Sequence, residues 1–291
     1  MIRRYVLRGV GVFVLVTLMA ANGVSAKDVI VTNPQKSSLD KRFDHPIHLL
    51  NKALEITRRE HGDFEVRPYP RKLARKRALR ELELGYLSVF SAPTRIEWEQ
   101  RAIPIRIPIR KGLMSYRIFL IRAADQKKFA AVRSIEALRR YRIGQGTQWS
   151  TAAALRKIGF TIHGTTEYEG LFTMLVKNRF DYFPRAISEI FTEFNLRTTR
   201  YPEMKIEETL ALYLPLPYYY FVSPKRPDLA KRLETGLEAL IANGEFDALF
   251  DSYYNDDIDR ANLAGRRVFR LENKDLTAET PFHRKDYWYQ P

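Results

Sequence analysis

Arg95 ends the run Ser91-Ala92-Pro93-Thr94-Arg95, just after a segment that reads as a strand, Tyr86 to Phe90. A guanidinium offers a rigid fork that matches a carboxylate through two parallel hydrogen bonds. Ligands of open α/β sheets sit beyond strand ends, so Arg95 is a candidate carboxylate anchor. A surface pairing with Glu97 or Glu99 is the other reading of the same residue. Ser88 and Ser91 lie near that strand end, where their hydroxyls would either meet a ligand or serve the turn. A second candidate is the loop Gly144-Gln145-Gly146-Thr147, which feeds a helix predicted from about Ser150 to Ile158. The free N–H groups and dipole of a helix start favour an anion, and Gly146 lets the backbone approach closely. Thr147 would add its hydroxyl or simply cap the helix. Trp149 would wall a cleft or fill the core.

Other chemistry is thinly supported. The five histidines (His45, His48, His61, His163 and His283) do not form a metal set: His45 and His48 are three apart on a predicted helix, but no third ligand is evident. No P-loop, dinucleotide fingerprint or nucleophile elbow is present, so no cofactor is expected. The cluster Arg71, Lys72, Arg75, Lys76, Arg77 and Arg80 would suit nucleic acid or an anionic membrane; a solvated helix face is the reading preferred here, because the chain carries an export signal.

The elements that must position these residues alternate. Strands are predicted at Lys27–Asn33, Phe64–Arg67, Tyr86–Phe90, Tyr116–Ile121, Tyr141–Ile143, Phe160–His163, Asp181–Phe183 and Tyr218–Ser223. Helices are predicted at Pro46–Thr57, Lys72–Leu84 with Gly85 at its C′ position, Ser134–Arg140, about Ser150–Ile158, from Thr166 with capping-box spacing to Glu169, Asp228–Ile241 and Glu245–Tyr253. Such alternation indicates doubly wound, largely parallel sheets. The residues after about Asn255 lack a clear period and are expected to form an extended tail anchored by Trp288.

With 45% hydrophobic and 29% charged residues, the chain is globular rather than disordered. Its 291 residues suffice for one large domain or two modest ones. The formal charge of +15 attracts anions in general. Arg3 and Arg4, the apolar stretch Val10 to Ala21 and the small residues of Val24-Ser25-Ala26 read as a cleavable secretory signal over residues 1–26, the alternative being an uncleaved anchor. Export argues against a nucleic-acid partner. The chain holds no cysteine, which excludes disulfides, thiolate metal sites and a lipidated N-terminal cysteine.

Taken in order, the segments resemble the bacterial extracellular solute-binding protein family 3, the amino-acid-binding type II periplasmic fold, over roughly Val29 to Tyr254. The stretches that carry the resemblance are Ser91 to Arg95, Ser134-Ile135-Glu136-Ala137-Leu138 with Ile143-Gly144-Gln145-Gly146-Thr147, Glu169 to Asp181, and Asp228 to Tyr253. The resemblance implies two α/β lobes, each a mixed, mostly parallel sheet flanked by helices. Lobe 1 would comprise residues 27–108 and 217–291 and lobe 2 residues 109–216, with crossings near Pro108–Gly112 and Leu210–Pro217. It further implies that Arg95 grips a ligand carboxylate, that Phe43 stacks on the ligand and that Asp40 takes an ammonium, unless Asp40 caps a helix.

Asp181 matches the family's structural acid. Five residues later, where many amino-acid binders hold the ligand ammonium, stands Ala186, with Arg185 beside it. A second cation there favours a more anionic ligand; Glu189 would replace the missing acid or pair with Arg185 at i,i+4. The implied function is capture of an anionic or zwitterionic small molecule by a monomeric periplasmic protein serving an ABC permease. Two alternatives stay open. One is a dehydratase-like enzyme with Glu189, Asp40 or Glu169 as acid or base, although no catalytic constellation stands out. The other is a sensing accessory to a membrane receptor.

Overall fold

The computed structural model describes residues 27–34, 43–71 and 73–291. The expected signal, Asp40 and Lys72 lie outside the described residues. In chain order the elements are β1 (Asp28–Thr32), α1 (Asp44–Ile56), α2 (Arg58–His61), β2 (Phe64–Pro68), α3 (Arg75–Leu84), β3 (Val89–Pro93), α4 (Ile96–Arg101) and β4 (Ile103–Ile105). After the first crossing come β5 (Tyr116–Arg122), α5 (Gln126–Ala130), α6 (Ile135–Arg139), β6 (Ile143–Gly144), α7 (Ser150–Lys157), β7 (Ile162–His163), α8 (Tyr168–Val176), β8 (Tyr182–Ala186), α9 (Ile187–Asn195), β9 (Met204–Ile206) and β10 (Leu210–Tyr213). After the second come β11 (Tyr218–Val222), α10 (Pro227–Ala242), α11 (Glu245–Ala261) and β12 (Arg267–Arg270).

The strands form a three-stranded sheet in the order β3-β11-β4, a parallel pair β1-β2 beside it, and a seven-stranded sheet in the order β12-β10-β5-β8-β6-β7 with β9 on β5. The larger two sheets are held by antiparallel strands: β11 runs antiparallel to β3 and β4, and β5 to β8, β9 and β10. These central strands read as unbroken apolar runs because both faces are buried. Tyr218, Tyr220 and Val222 of β11 face one core and Tyr219 and Phe221 another, while Ile118 and Leu120 of β5 oppose Phe119 and Ile121. Each such side chain contributes about 1.5–3 kcal/mol by leaving water.

Asp181 fastens the second sheet. Its carboxylate accepts from the Arg142 backbone N–H at 2.8 Å and the Arg142 Nε at 3.2 Å, and pairs with Arg122 at 3.3 Å. Burial works against its charge, but the bonds from Arg142 draw its pKa down to about 2. That lock ties the start of β8 to the start of β6, and so fixes the loop Gln145 to Trp149 relative to Arg185.

Several boundaries differ from expectation. Gly85, at φ +83°, ends α3 in the left-handed region, and Tyr86 and Leu87 then turn back onto Glu81 O. β3 therefore starts at Val89 and runs through Ser91 to Pro93, with Ser91 opposite Tyr220. Likewise β8 continues through Pro184 and Arg185 to Ala186. Helix α8 starts at Tyr168 without the expected capping box; Glu169 pairs with Arg197 instead. Helix α11 runs on to Ala261, because Phe250, Tyr254 and Ala261 keep an apolar stripe against the second core. The expected cap at Ser134 is present, its hydroxyl accepting from Ala137 N at 3.2 Å.

The two crossings lie side by side: Ile109 N donates to Tyr218 O at 2.9 Å and Leu214 N to Ser115 O at 2.9 Å. The tail is not loose. β12 pairs in parallel with β10, so it adds to the second sheet, while Tyr287 and Trp288 farther along the tail pack in the core of the first. Asn273 Nδ2 donates to Pro215 O at 2.8 Å, and Tyr289 N donates to Lys111 O at 2.7 Å. The Trp288 indole, 8% exposed, lies flat against Gly112, whose φ is +68°. A Cβ on Gly112 would come within 2.5 Å of that ring, whereas one on Gly244, at φ +81°, meets nothing within 4 Å. Gly244→Ala is therefore expected to cost about 1–2 kcal/mol for backbone strain alone. Gly112→Ala should cost roughly 2–4 kcal/mol, since it adds overpacking. Equal losses in denaturant melts would mean that Trp288 is not seated on the crossing.

Candidate functional site

A buried strip of charged and aromatic side chains runs along the junction of the two sheets. At its centre is Arg185 of β8, 4% exposed. Its Nε donates to Glu193 Oε2 at 2.6 Å, its Nη2 to Glu193 Oε1 at 2.5 Å, and Glu189 Oε2 lies 2.8 Å from Nη2. The guanidinium carbon is 4.7 Å from the Trp149 ring centre and 5.1 Å from that of Phe183. Tyr168 Oη donates to Glu193 Oε1 at 2.6 Å. Burial pulls the Arg185 pKa down, but Glu189 and Glu193 carry it above its ordinary value.

Toward the first sheet the strip continues through Arg110, on the first crossing. Its guanidinium carbon stands 4.5 Å over the Tyr218 ring, and its Nη1 donates to Met114 Sδ at 3.3 Å. Burial opposes its charge, while Tyr254, Tyr218 and Glu189 favour it and prevail. His45, at the start of α1, packs on Tyr253 and Tyr254 with ring centres 5.2 and 5.1 Å away. Its Nδ1 has no hydrogen-bond partner, and burial, with Arg110 next, lowers its pKa to about 3. Arg117 of β5 is 3% exposed, with its pKa lowered to about 10 mainly by burial.

The residues singled out from sequence separate into two groups. Gly146, Trp149, Arg185 and Glu189 come together: a Cβ on Gly146 would meet the Trp149 indole at 2.3 Å, so glycine is what allows Trp149 to lie over Arg185. Arg185 is not the open second cation that its place suggested, because two carboxylates fill its fork. Trp149 rather than Thr147 is the N-cap residue of α7; Thr147 instead donates its N–H to Thr165 O at 3.2 Å and accepts from Arg156 at 3.1 Å through its carbonyl. Ser91 sits in mid-strand with its hydroxyl donated to Asn33 Oδ1 at 3.1 Å, and Ser88 Oγ accepts from Val31 N at 3.0 Å. Both seryl hydroxyls therefore join neighbouring strands rather than a turn.

Arg95 lies apart from the strip. Its Nε is 3.7 Å from Asp275 of the tail, whose other oxygen is 2.7 Å from Lys157 of α7. Phe43 is half-buried just before α1. Arg75, one of the basic cluster, reaches α7 and donates to Ser150 Oγ at 2.6 Å, and Arg77 pairs with Glu81; Lys76 and Arg80 keep the solvated character expected of that face. Sequence reasoning missed Arg110, Arg117, Glu193 and Asp275. Glu193, eight residues after Arg185 and on the helix α9 that was not predicted, had no motif to mark it. Among the described residues, no group of three or more His, Cys, Asp and Glu could hold a metal ion, and no helix is long and apolar enough to cross a membrane.

Two α/β lobes, two adjacent crossings and a buried polar strip between them define the type II periplasmic-binding-protein fold. Among solved structures the chain is similar to a putative binding component of an ABC transporter from Wolinella succinogenes complexed with lysine, with TM-score 0.55 and 12% identity over 79% of this chain and 97% of that one. It is similar to a periplasmic binding protein of high arginine specificity from Salmonella typhimurium, with TM-score 0.53 and 14% identity over 78% and 99% of the two chains. It is also similar to a histidine kinase sensor domain described as similar to periplasmic binding proteins, with TM-score 0.52 and 14% identity over 78% and 96%. No family model matches the sequence. No curated protein matches it in sequence.

Two measurements test the strip. Glu193→Gln should lower stability by about 2–3 kcal/mol, because Glu189 remains to pair with Arg185; Glu169→Gln, at an exposed pair, should cost under about 1 kcal/mol. Similar losses would mean that the buried pairing is not formed. For His45, the folded pKa lies below the unfolded one, so between about pH 3 and 6.5 the unfolded chain binds the extra proton and stability falls as pH falls. The loss from this group on going from pH 7.5 to 5 is about 2 kcal/mol. His45→Phe should remove that part of the slope; an unchanged pH profile of Tm in the variant would refute the buried neutral imidazole.

Proposed function

We propose that this chain is a periplasmic solute-binding protein that captures a small carboxylate-bearing ligand, amino-acid-like or another organic anion, between its lobes. The observation that carries the reading is the charge balance of the strip. Among the described residues, Arg185 is answered by Glu189 and Glu193, whereas Arg117, 3% exposed, has no hydrogen-bond partner at its Nε. A buried surplus cation is costly unless an anion answers it. The lysine complex and the arginine-specific protein of the same fold support an amino-acid-like ligand.

In this proposal lobe 1 is 27–108 with 217–291, save β12, and lobe 2 is 109–216. Residues 1–26 direct export. Arg95, Gly146, Thr147, Trp149 and Phe43 border the cleft, with Arg185 and Ser91 as positioning residues. Asp40 of the first loop is kept as a ligand contact. Ligand touching both lobes favours the closed arrangement, and an ABC permease receives it. A sensing role with a separate membrane receptor is the second reading, favoured by the likeness to a kinase sensor domain.

Residues 27–291 should show saturable binding without turnover in a thermal-shift and calorimetric panel of basic, acidic and neutral amino acids, dicarboxylates and glutathione. Ligand at one hundred times its Kd should add about 2.7 kcal/mol of stability. A panel that leaves Tm unmoved would overturn the solute-binding reading, and product formation would replace it with an enzyme.

A further inference from the structure

The three arginines of the strip are answered unequally. Arg185 is held by two carboxylates, and Arg110 stacks on Tyr218. Arg117 is 3% exposed, yet its Nε has no hydrogen-bond partner and no acid among the described residues pairs with it. Glu189 and Glu193 act on it only through space. Gln145 shows the complementary feature: it is fully buried, its Nε2 donates to Pro184 O at 3.0 Å, and its Oε1 has no partner. Buried polar groups of folded proteins are paired almost without exception, so an unused donor and an unused acceptor at one place need a reason.

Register puts them at one place. Arg117 stands opposite Ala186 in the β5–β8 pairing, and Phe119 stands opposite Pro184. Ile143 stands beside Tyr182 in β6–β8, which sets Gln145 beside Pro184. Side chains alternate along strands, so Arg117 and Gln145 share the face of Phe119, Ile121 and Ile143, the residues of one core. They flank β8 from its two sides, two strand spacings or about 10 Å apart at the backbone. Between them on β8 lies Ala186, opposite Arg117. Ala186 itself packs in the core of the first sheet with Tyr218 and Tyr220, so this face meets the other lobe. β5 begins here while β6 and β8 end here, which is where open α/β sheets take ligands.

We infer that Arg117 is the cation that receives the ligand carboxylate, and that Gln145 Oε1 accepts from an N–H or O–H donor of the same ligand. The inference rests on the solute-binding reading above and deepens it: the ligand is a small acid with a hydrogen-bond donor a few bonds from its carboxylate, as in an α-amino or α-hydroxy acid. Guanidinium and carboxylate then neutralise each other in the closed state, and the orphaned amide oxygen is satisfied. Arg95, 3.7 Å from Asp275 of the tail, stays at the border of the cleft.

The test uses residues 27–291 as wild type, Arg117→Met, Arg117→Lys and Arg101→Ala, with L-lysine, L-arginine, L-glutamate, L-lactate and succinate as probes. Arg117→Met should leave the ligand-free Tm unchanged or raise it, since a buried unpaired charge is replaced by an apolar side chain of similar length. The same variant should lose about 100-fold in affinity for whichever probe the wild type binds. Arg117→Lys should retain part of that affinity, having the charge without the fork. Arg101→Ala, at an exposed ion pair with Glu83, should bind within a fewfold of wild type. A large fall in the ligand-free Tm of Arg117→Met, or binding retained by it, would overturn the assignment of Arg117 while leaving the solute-binding reading intact. A wild type silent to every probe would overturn that reading and this one with it.

Discussion

A guanidinium taken out of water must be answered on every side, and Arg185 shows what that demands of a fold. Its fork is filled by Glu193 and Glu189, and its flat faces meet Trp149 and Phe183. Each partner brings a requirement of its own. Trp149 can lie there because residue 146 has no side chain. Glu193 is held by Tyr168 from α8. Phe183 stacks on Trp149 and meets Phe172 edge-on. Three helices and two strand ends are thereby fixed around one charge. Buried ion pairs of this kind add little net stability compared with apolar packing, but breaking one is expensive, so they specify an arrangement more than they strengthen it. Here the arrangement specified is the end of the second sheet that faces the first.

Much of the fold was legible because local and global preferences agree. The β-branched run Val29-Ile30-Val31-Thr32 is β1, and the 3.6-residue stripe of Leu229, Leu233, Leu237 and Leu240 is α10. Gly85 ends α3 where a left-handed residue is needed. What escaped were elements whose period is hidden by charge or by context. Helix α9 begins directly on the last residue of β8, with no turn between them to announce it. β10 and β12 are short and draw their stability from pairing with each other and with β5, a non-local contact that leaves no local mark. The mixed character of the sheets has the same origin, since strand direction at a crossing is set by where the chain returns.

The site was less legible than the fold. Arg185 and Glu189 were visible as an i,i+4 pair, and the alternative of simple pairing is the one the structure adopts. Ser91 looked like turn chemistry because Pro93 and Thr94 follow it, but pairing with β11 overrides the local signal and leaves its hydroxyl bonded to Asn33. Arg110 and Arg117 were overlooked for one physical reason. Each stands singly in an apolar context, Pro108-Ile109-Arg110 and Tyr116-Arg117-Ile118, where a charged residue ordinarily marks the solvent face of a strand. Alternation would place Arg117 outward if one face of β5 met water; both faces are buried, so the same pattern puts a cation inside.

The remaining issue is how such a junction could still move. Beside the apolar stripe of α11 on the second core and the β10–β12 pairing, the contacts that span the lobes away from the strip include weak ones. Arg75 meets Ser150, and Asp275 stands between Arg95 and Lys157, with Lys157 about half exposed and Arg95 nearly a third. Exposed pairs of this sort are worth about 0–1 kcal/mol each. The strip is different, because Arg117 Nε and Gln145 Oε1 are buried there without hydrogen-bond partners. In the reading proposed above, closing without ligand carries a desolvation cost that the peripheral pairs offset only in part. Ligand that supplies a carboxylate and a donor removes that cost in the closed state and does nothing comparable in the open one. A difference of about 5.5 kcal/mol suffices to invert a two-state population from 1:99 to 99:1. On that reading the unpaired groups would have a thermodynamic use: their satisfaction by ligand favours the closed arrangement.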